Sequence, residues 1–212
     1  HDLMLGMGRK ARDAMSGLAN MDDRQRSLAI GKAALSVRNN HEKILEANQR
    51  DVDAALSKGL TAALVDRLRL DVQRIESMVS GLQAIAALPN PVGRDLGQWT
   101  RPNGLALQRI SVPLGVIGII YESRPNVTAD AAGLCLKSAN ACILRGGSES
   151  AHSNKAIHDC FVEGLAQAGI SADAVQLVPT TDRAAVGHML ADMGGLIDVI
   201  VPRGGKSLVE RV

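Results

Sequence analysis

Between Val112 and Gly147 the chain reads VPLGVIGIIYESRPNVTADAAGLCLKSANACILRGG, and no other stretch constrains the fold as strongly. Leu114 to Tyr121 carries no charge and is rich in valine and isoleucine. That is the pattern of a strand buried on both faces, as in a parallel sheet. Pro125 suits the first turn of a helix, where an amide N–H has no intrahelical partner. The helix is expected to reach Ser138 or Ala139, and a second apolar strand, Ala141 to Leu144, follows. Strand, helix, strand at this length is a βαβ unit with a right-handed crossover. Both strands then end on one edge of the sheet, so Glu122–Asn126 and Arg145–Glu149 converge there. Open α/β sheets bind ligands along that edge. The site is expected at these two turns.

The alternation continues downstream. A helix is expected from Ser148 or Ser150 to Ala168, then a strand over Ala174–Val178. Thr181 or Asp182 would cap a helix ending near Asp192. Ile197–Val201 reads as another strand, and Gly204–Val212 as the start of a helix. Strands alternating with helices make residues 112–212 a doubly wound, mostly parallel, nucleotide-binding sheet of the α/β class. No G-x-G-x-x-G is present, so the common dinucleotide fingerprint lends no support.

Residues 1–90 read as helices. Ile30, Ala33, Ala34 and Val37 form one apolar face after a cap at Asp22 or Asp23. Leu45, Val52, Ala55 and Leu56 mark a second amphipathic helix, terminated by Gly59. Asp71 can cap a third, with the stripe Ile75, Met78, Val79, Leu82, Ile85 and Ala86, stopped by Pro89 and Pro91. The charged residues Arg24, Arg26, Glu42, Lys43, Arg50 and Asp51 are expected on solvated faces. Pro89 to Asn103 reads as a loop. Gly104–Val112 alternates and reads as a half-exposed strand.

Aromatic residues are confined to Trp99, Tyr121 and Phe161, while 46% of the chain is hydrophobic, so the core must be aliphatic and alanine-packed. A formal charge of +2 leaves no electrostatic footprint for nucleic acid. No stretch is long and apolar enough for a membrane span, and no leader pattern is evident. Three cysteines without a C-x-x-C pair fit a reduced, cytoplasmic protein. The histidines are scattered singly, so no metal site is expected.

The segments PLGVIGIIYESRPNVT and LCLKSANACILRGGSES resemble the gamma-glutamyl phosphate reductase branch of the aldehyde dehydrogenase superfamily. ILEANQRDV at 44–52, LVDRLRL at 64–70 and IDVIVPRGG at 197–205 extend the resemblance along the chain, which would cover about half of such an enzyme. It implies an aldehyde dehydrogenase-like fold and NADPH-dependent reduction of L-glutamyl 5-phosphate to L-glutamate 5-semialdehyde in proline biosynthesis. This chain would supply the cofactor-binding portion. The superfamily binds its cofactor without the usual fingerprint, so the missing motif does not decide against a dinucleotide. A homo-oligomer is implied, and a contact with glutamate 5-kinase is admitted. Residues 104–112 would be either a subunit-joining strand or an ordinary edge strand. Another aldehyde dehydrogenase-type oxidoreductase, or a non-catalytic nucleotide-binding or assembly module, are the alternative readings.

Three turns can carry chemistry. Arg145-Gly146-Gly147 ends a strand, lets a ligand approach the backbone, and leads into a helix start that offers N–H groups to an anion. The superfamily often has a lysine at the place of Arg145, touching the adenosine ribose or its 2′-phosphate. Arg203-Gly204-Gly205 is a second strand-to-helix turn, and the two together would cradle a pyrophosphate. In the third, Ser123-Arg124-Pro125-Asn126, a side-chain amide can donate to an oxyanion. The resemblance gives that role to an asparagine. Asn126 is the candidate, although ungapped alignment puts Ser123 in its place, and Asn126 can instead simply cap its helix. Arg124 can meet the acyl phosphate or a carboxylate of the substrate. Cys135, Cys142 and Cys160 all lie in apolar segments and read as buried packing residues. The nucleophilic cysteine implied by the resemblance would then lie in a catalytic domain beyond Val212.

Overall fold

The computed structural model describes residues 1–191 and 193–210. Helices come first: α1 (Asp2–Ala19), α2 (Asp23–Asn39), α3 (His41–Ser57), α4 (Ala62–Leu68) and α5 (Val72–Ala87). Asp22 caps α2 by accepting the Gln25 N–H at 2.8 Å, and Asp71 caps α5 by accepting that of Arg74 at 2.7 Å. Each carboxylate also complements the positive end of its helix dipole. The expected stripes of α2 and α5 are buried at Ile30, Ala33, Ala34, Val37, Ile75, Met78, Val79 and Leu82.

The inward face of α3 differs from the expectation. Ile44, Asn48, Asp51, Val52 and Ala55 point inward, whereas Leu56 is exposed. Asp51 and Arg26, expected in solvent, are both buried. The reason is specific pairing. Asp51 accepts hydrogen bonds from the N–H groups of His152 and Ser153 at 3.2 and 2.8 Å, and from the Ser153 hydroxyl at 2.6 Å. Arg26 donates to the Met21 carbonyl and, at 2.9 Å, to Asn90 Oδ1. A buried charge survives only with such partners.

Residues 89–103, read as a loop, contain a strand. β1 (Asp95–Thr100) pairs antiparallel with β2 (Ala106–Ile110), with an irregularity between Asp95 and Gly97. The hairpin lies almost wholly in solvent and exposes Leu96, Trp99, Leu105 and Ile110. Its lack of a buried face explains why hydrophobic patterning did not reveal β1.

The central sheet comprises β3 (Val116–Tyr121), β4 (Ala141–Arg145), β5 (Val175–Leu177) and β6 (Val199–Arg203), all parallel, in the order β5-β4-β3-β6. Every residue of β3 and β4 is buried, which requires cover on both faces. That cover comes from α1 and α8 (Ala184–Ala191), and from α6 (Asn126–Lys137) and α7 (Ala151–Gln167). Helix α7 crosses α2 so closely that a Cβ on Gly164 would lie 2.3 Å from the backbone nitrogen of Ala33. Only glycine fits that crossing.

Strand β6 starts two residues later than expected. The carboxylate of Asp198 accepts the Val116 N–H at 2.7 Å and pairs with Arg12 of α1 at 2.7 Å, so ladder pairing begins only after it. Helix α8 begins at Ala184, whose N–H donates to Asp182 Oδ1 at 2.9 Å. Its expected end at Asp192, and the expected reach of the last helix to Val212, lie outside the described residues. That last helix, α9, spans Lys206–Val209.

Candidate functional site

The C-terminal ends of β3, β4 and β6 bring the three expected turns to one edge of the sheet. Their geometry begins with Tyr121, whose buried hydroxyl lies 2.7 Å from Thr128 Oγ1. Thr128 reaches Asn154 Oδ1 at 3.2 Å, and Asn154 Nδ2 donates to Ser150 Oγ at 3.0 Å. This chain of polar side chains locks β3, α6 and α7 to the Arg145–Ser150 turn. A Cβ on Gly146 would stand 2.1 Å from Asn154 Nδ2, so glycine is required there for space. Burial drives the Tyr121 phenol well above its ordinary range and keeps it neutral.

Two carboxylates lie among the turns. Glu149 Oε1 accepts from the Ser123 N–H at 3.0 Å and from its hydroxyl at 2.6 Å, holding Ser123 at the left-handed φ of 45°. Burial alone would raise the Glu149 carboxyl. The hydrogen bonds from Ser123, with those from its own backbone and Ser148, outweigh burial and hold it below the usual range. Glu122 Oε2 accepts the Gly205 N–H at 3.1 Å. Sequence reasoning named neither residue for a role. The only hint was their place beside the expected turns.

The turns open into three clefts rather than one. Arg124, Arg203, Gly204 and Gly205 line a cleft of about 250 Å³ together with Glu122 and Arg67. Gly146 and Gly147 line another of about 200 Å³, walled by Val178, Pro179, Thr180 and Lys155. Arg124 and Asn126 also line a third, of about 400 Å³, facing α4 and α5. The Arg145 turn and the Arg203 turn thus flank the end of β3 and line different clefts.

Arg145 is nearly buried. Its guanidinium donates to the carbonyls of Gly146 at 2.7 Å and Thr181 at 2.9 Å, while its Nε is buried without a partner. Burial, with the nearby Arg183, lowers its pKa against the pull of Glu149. Arg124 lies exposed, its guanidinium without a hydrogen bond or ion pair among the described residues. Asn126 is the first residue of α6 and does not cap it. Its amide donates to Asp130 Oδ2 at 2.9 Å.

The cysteines lie within α6, β4 and α7 and not in the turns of this edge. All three are free and buried. The Cys142 thiol is pushed up by its hydrogen bond with Cys135 and by burial, and burial raises that of Cys160. A thiol so raised is a poor nucleophile. No group of three or more His, Cys, Asp or Glu residues is arranged to hold a metal ion among the described residues. Nor is any described helix long and apolar enough to cross a membrane.

No protein-family model matches the chain. Curated relatives do. A gamma-glutamyl phosphate reductase of Rhizorhabdus wittichii is 59% identical over 210 residues, 99% of this chain and 49% of its own length. That of Paramagnetospirillum magneticum is also 59% identical over the same shares. The chain therefore spans about half the length of the curated relatives it matches. Among solved structures, the gamma-glutamyl phosphate reductase of Thermotoga maritima superposes with a TM-score of 0.94 at 39% identity, covering 98% of this chain and 50% of that one. A probable aldehyde dehydrogenase of Listeria monocytogenes, 15% identical, superposes at 0.72 over 98% of this chain and 42% of its own, which shows the shared fold. In sequence and in backbone path, this aldehyde dehydrogenase-like α/β chain matches the N-terminal portion of gamma-glutamyl phosphate reductases over nearly all of its length.

Proposed function

We propose that this chain is the cofactor-binding portion of an NADPH-dependent oxidoreductase that reduces L-glutamyl 5-phosphate to L-glutamate 5-semialdehyde in proline biosynthesis. The observation that carries this reading is the 59% identity to gamma-glutamyl phosphate reductases across 99% of the chain. NADPH supplies the hydride. The residues present suit that cofactor: Arg145, tied to the carbonyls of Gly146 and Thr181 in the cleft lining and with a buried unpartnered Nε, is a cation held behind the wall of the Gly146–Gly147 cleft. In this reading Arg145 faces the 2′-phosphate. Gly146 and Gly147 bring the backbone close to the adenosine side, and Arg203, Gly204 and Gly205 meet the pyrophosphate.

Asn126 is assigned as the oxyanion donor, and its amide must turn from Asp130 to serve. Arg124, unpaired at the mouth of two clefts, is assigned to the anionic substrate. The attacking thiolate belongs to the portion of the reductase outside residues 1–212, since all three cysteines here are buried and the thiols of Cys142 and Cys160 are raised. There the acyl phosphate would exchange its C–O bond to phosphate for a C–S bond, releasing phosphate. A cytoplasmic location and a homo-oligomer joined through the exposed β1–β2 hairpin belong to the same reading.

Titration of the chain with NADPH and NADH, followed by nicotinamide fluorescence, tests it. Arg145→Ala should weaken NADPH by about tenfold more than NADH, the usual worth of one charge-assisted phosphate contact. Equal weakening would remove the 2′-phosphate assignment. No NADPH binding by the unaltered chain would remove the cofactor reading itself.

A further inference from the structure

The cleft of about 400 Å³ between α4, α5 and the start of α6 carries a charge pattern that a cofactor phosphate site does not explain. Its charged lining is Arg67, Arg69, Arg74, Arg124, Asp66 and Asp130, so positive charge is in excess. Arg74 is spent on structure: it donates to the carbonyls of Asp66 and Arg69 and pairs with the Asp66 carboxylate at 2.9 Å. The guanidinium groups of Arg67, Arg69 and Arg124 have no hydrogen bond or ion pair among the described residues, so three cations stand ready for anionic groups.

Asp130 is the exception in this basic cleft. Burial raises its carboxyl above the ordinary range, against the Asn126 hydrogen bond and the nearby Arg203. Only Oδ2 is engaged, by Asn126. Oδ1 faces α5, where it would lie 3.8 Å from a Cβ on Gly81. A purely anionic ligand gains nothing from a half-buried carboxylate and is repelled by it. A ligand bearing an ammonium beside its carboxylate gains from both kinds of group.

We propose that this cleft binds the α-amino-acid head of the substrate, with Asp130 Oδ1 receiving the α-ammonium and Arg67 and Arg124 receiving the α-carboxylate. The proposal rests on the reading of the chain as part of a reductase of an acidic amino-acid acyl phosphate, and deepens it by naming the groups that select an amino acid over a simple dicarboxylate. Asn126 holds Asp130 through Oδ2 until its amide turns to the oxyanion, and so couples recognition of the head to the first turn of α6. Arg67 is a specificity residue that no glycine or proline signal marks. Its only trace in the sequence is its place in LVDRLRL, on the short helix α4.

The test uses the 212-residue chain with three probes: L-glutamate, glutarate, which lacks the ammonium, and 4-aminobutyrate, which lacks the α-carboxylate. Binding is read by calorimetry and by chemical-shift changes of the backbone amides. L-glutamate should bind at least about tenfold more tightly than either analogue. Asp130→Asn should bring L-glutamate down to glutarate, leaving glutarate itself unchanged or tighter. Arg67→Met should weaken L-glutamate and glutarate together and leave 4-aminobutyrate unaffected. Thermal midpoints of both variants verify folding, and Asp130→Ser replaces the asparagine variant if that one fails to fold. Equal binding of L-glutamate and glutarate, no L-glutamate binding at all, or discrimination that survives Asp130→Asn would overturn the proposal. NADPH titration of the same samples separates the outcomes: the cofactor reading stands or falls on that signal, independently of the amino-acid probes.

Discussion

Glu122, the residue that follows β3, accepts the backbone N–H of Gly205 from the turn after β6 at 3.1 Å. The amide therefore already points at an anion, and a side-chain carboxylate plays that part in this structure. Any phosphate taken by the turn must displace the carboxylate or share the amide with it, against like-charge repulsion.

Glu122→Gln removes that charge and weakens the competing hydrogen bond. NADPH and inorganic pyrophosphate should both bind about threefold or more tightly, with the gain shrinking in high salt as Debye screening grows. Calorimetric titration at two ionic strengths checks this. Unchanged affinity would show that the Gly204–Gly205 turn does not meet the phosphates.

Asp51 and Ser153 join α3 to the start of α7 through a fully engaged buried carboxylate. Asp51→Ala leaves two amides and a hydroxyl without their acceptor. The expected loss is about 2–4 kcal/mol of unfolding free energy, the range for stripping a buried cap and its charge-assisted bonds. Urea denaturation measures it. Loss of less than about 0.5 kcal/mol, the scale of ordinary surface substitutions, would mean that water replaces the carboxylate there.

Asp198 supplies a pH dependence with a definite sign. Burial pushes its carboxyl up, but the bonds from Arg12 and the Val116 N–H prevail and hold it below its ordinary 3.8. A depressed carboxyl stabilises the fold above its unfolded pKa, and that contribution is lost as pH falls through the lower folded value. Asp198→Asn should therefore be less stable than the unaltered chain at pH 7, with the gap closing below about pH 4 as both become neutral at this position. Thermal unfolding at pH 7 and pH 3 gives the comparison. A gap of equal size at both would assign the effect to packing instead of charge.

The cysteines give a covalent readout. Cys142 and Cys160 have raised thiols, and Cys135 is buried beside Cys142. Iodoacetamide at pH 7 should label none of the three appreciably in the folded chain and all of them in urea, as followed by intact mass. Rapid labelling of any one before unfolding would place an accessible thiolate in this portion of the protein and reopen the search for the nucleophile here.

Local pattern determined the central βαβ unit, because strands covered on both faces must be uninterruptedly apolar. Val116–Tyr121 and Ala141–Arg145 have no other way to satisfy their burial. It also determined the acidic cap at Asp71 and narrowed that of α2 to Asp22 or Asp23, since a cap bonds only three residues ahead; the structure has Asp22. Two of the candidate turns, after Arg145 and Arg203, were legible for the same reason: each is a glycine pair at a strand end. Tertiary structure decided what depends on partners distant in the chain. Asp51 and Arg26 turn inward because Ser153 and Asn90 wait for them, and nothing nearby in sequence announces that. β1 exists through pairing with β2 alone, with no buried face to leave a hydrophobic imprint. The basic cleft gathers Arg67 from α4, Arg124 from the turn after β3 and Asp130 from α6. Charges on separate elements carry no shared period, so only the packing of α5 against α6, with α4 seated on α3, could bring them to one place.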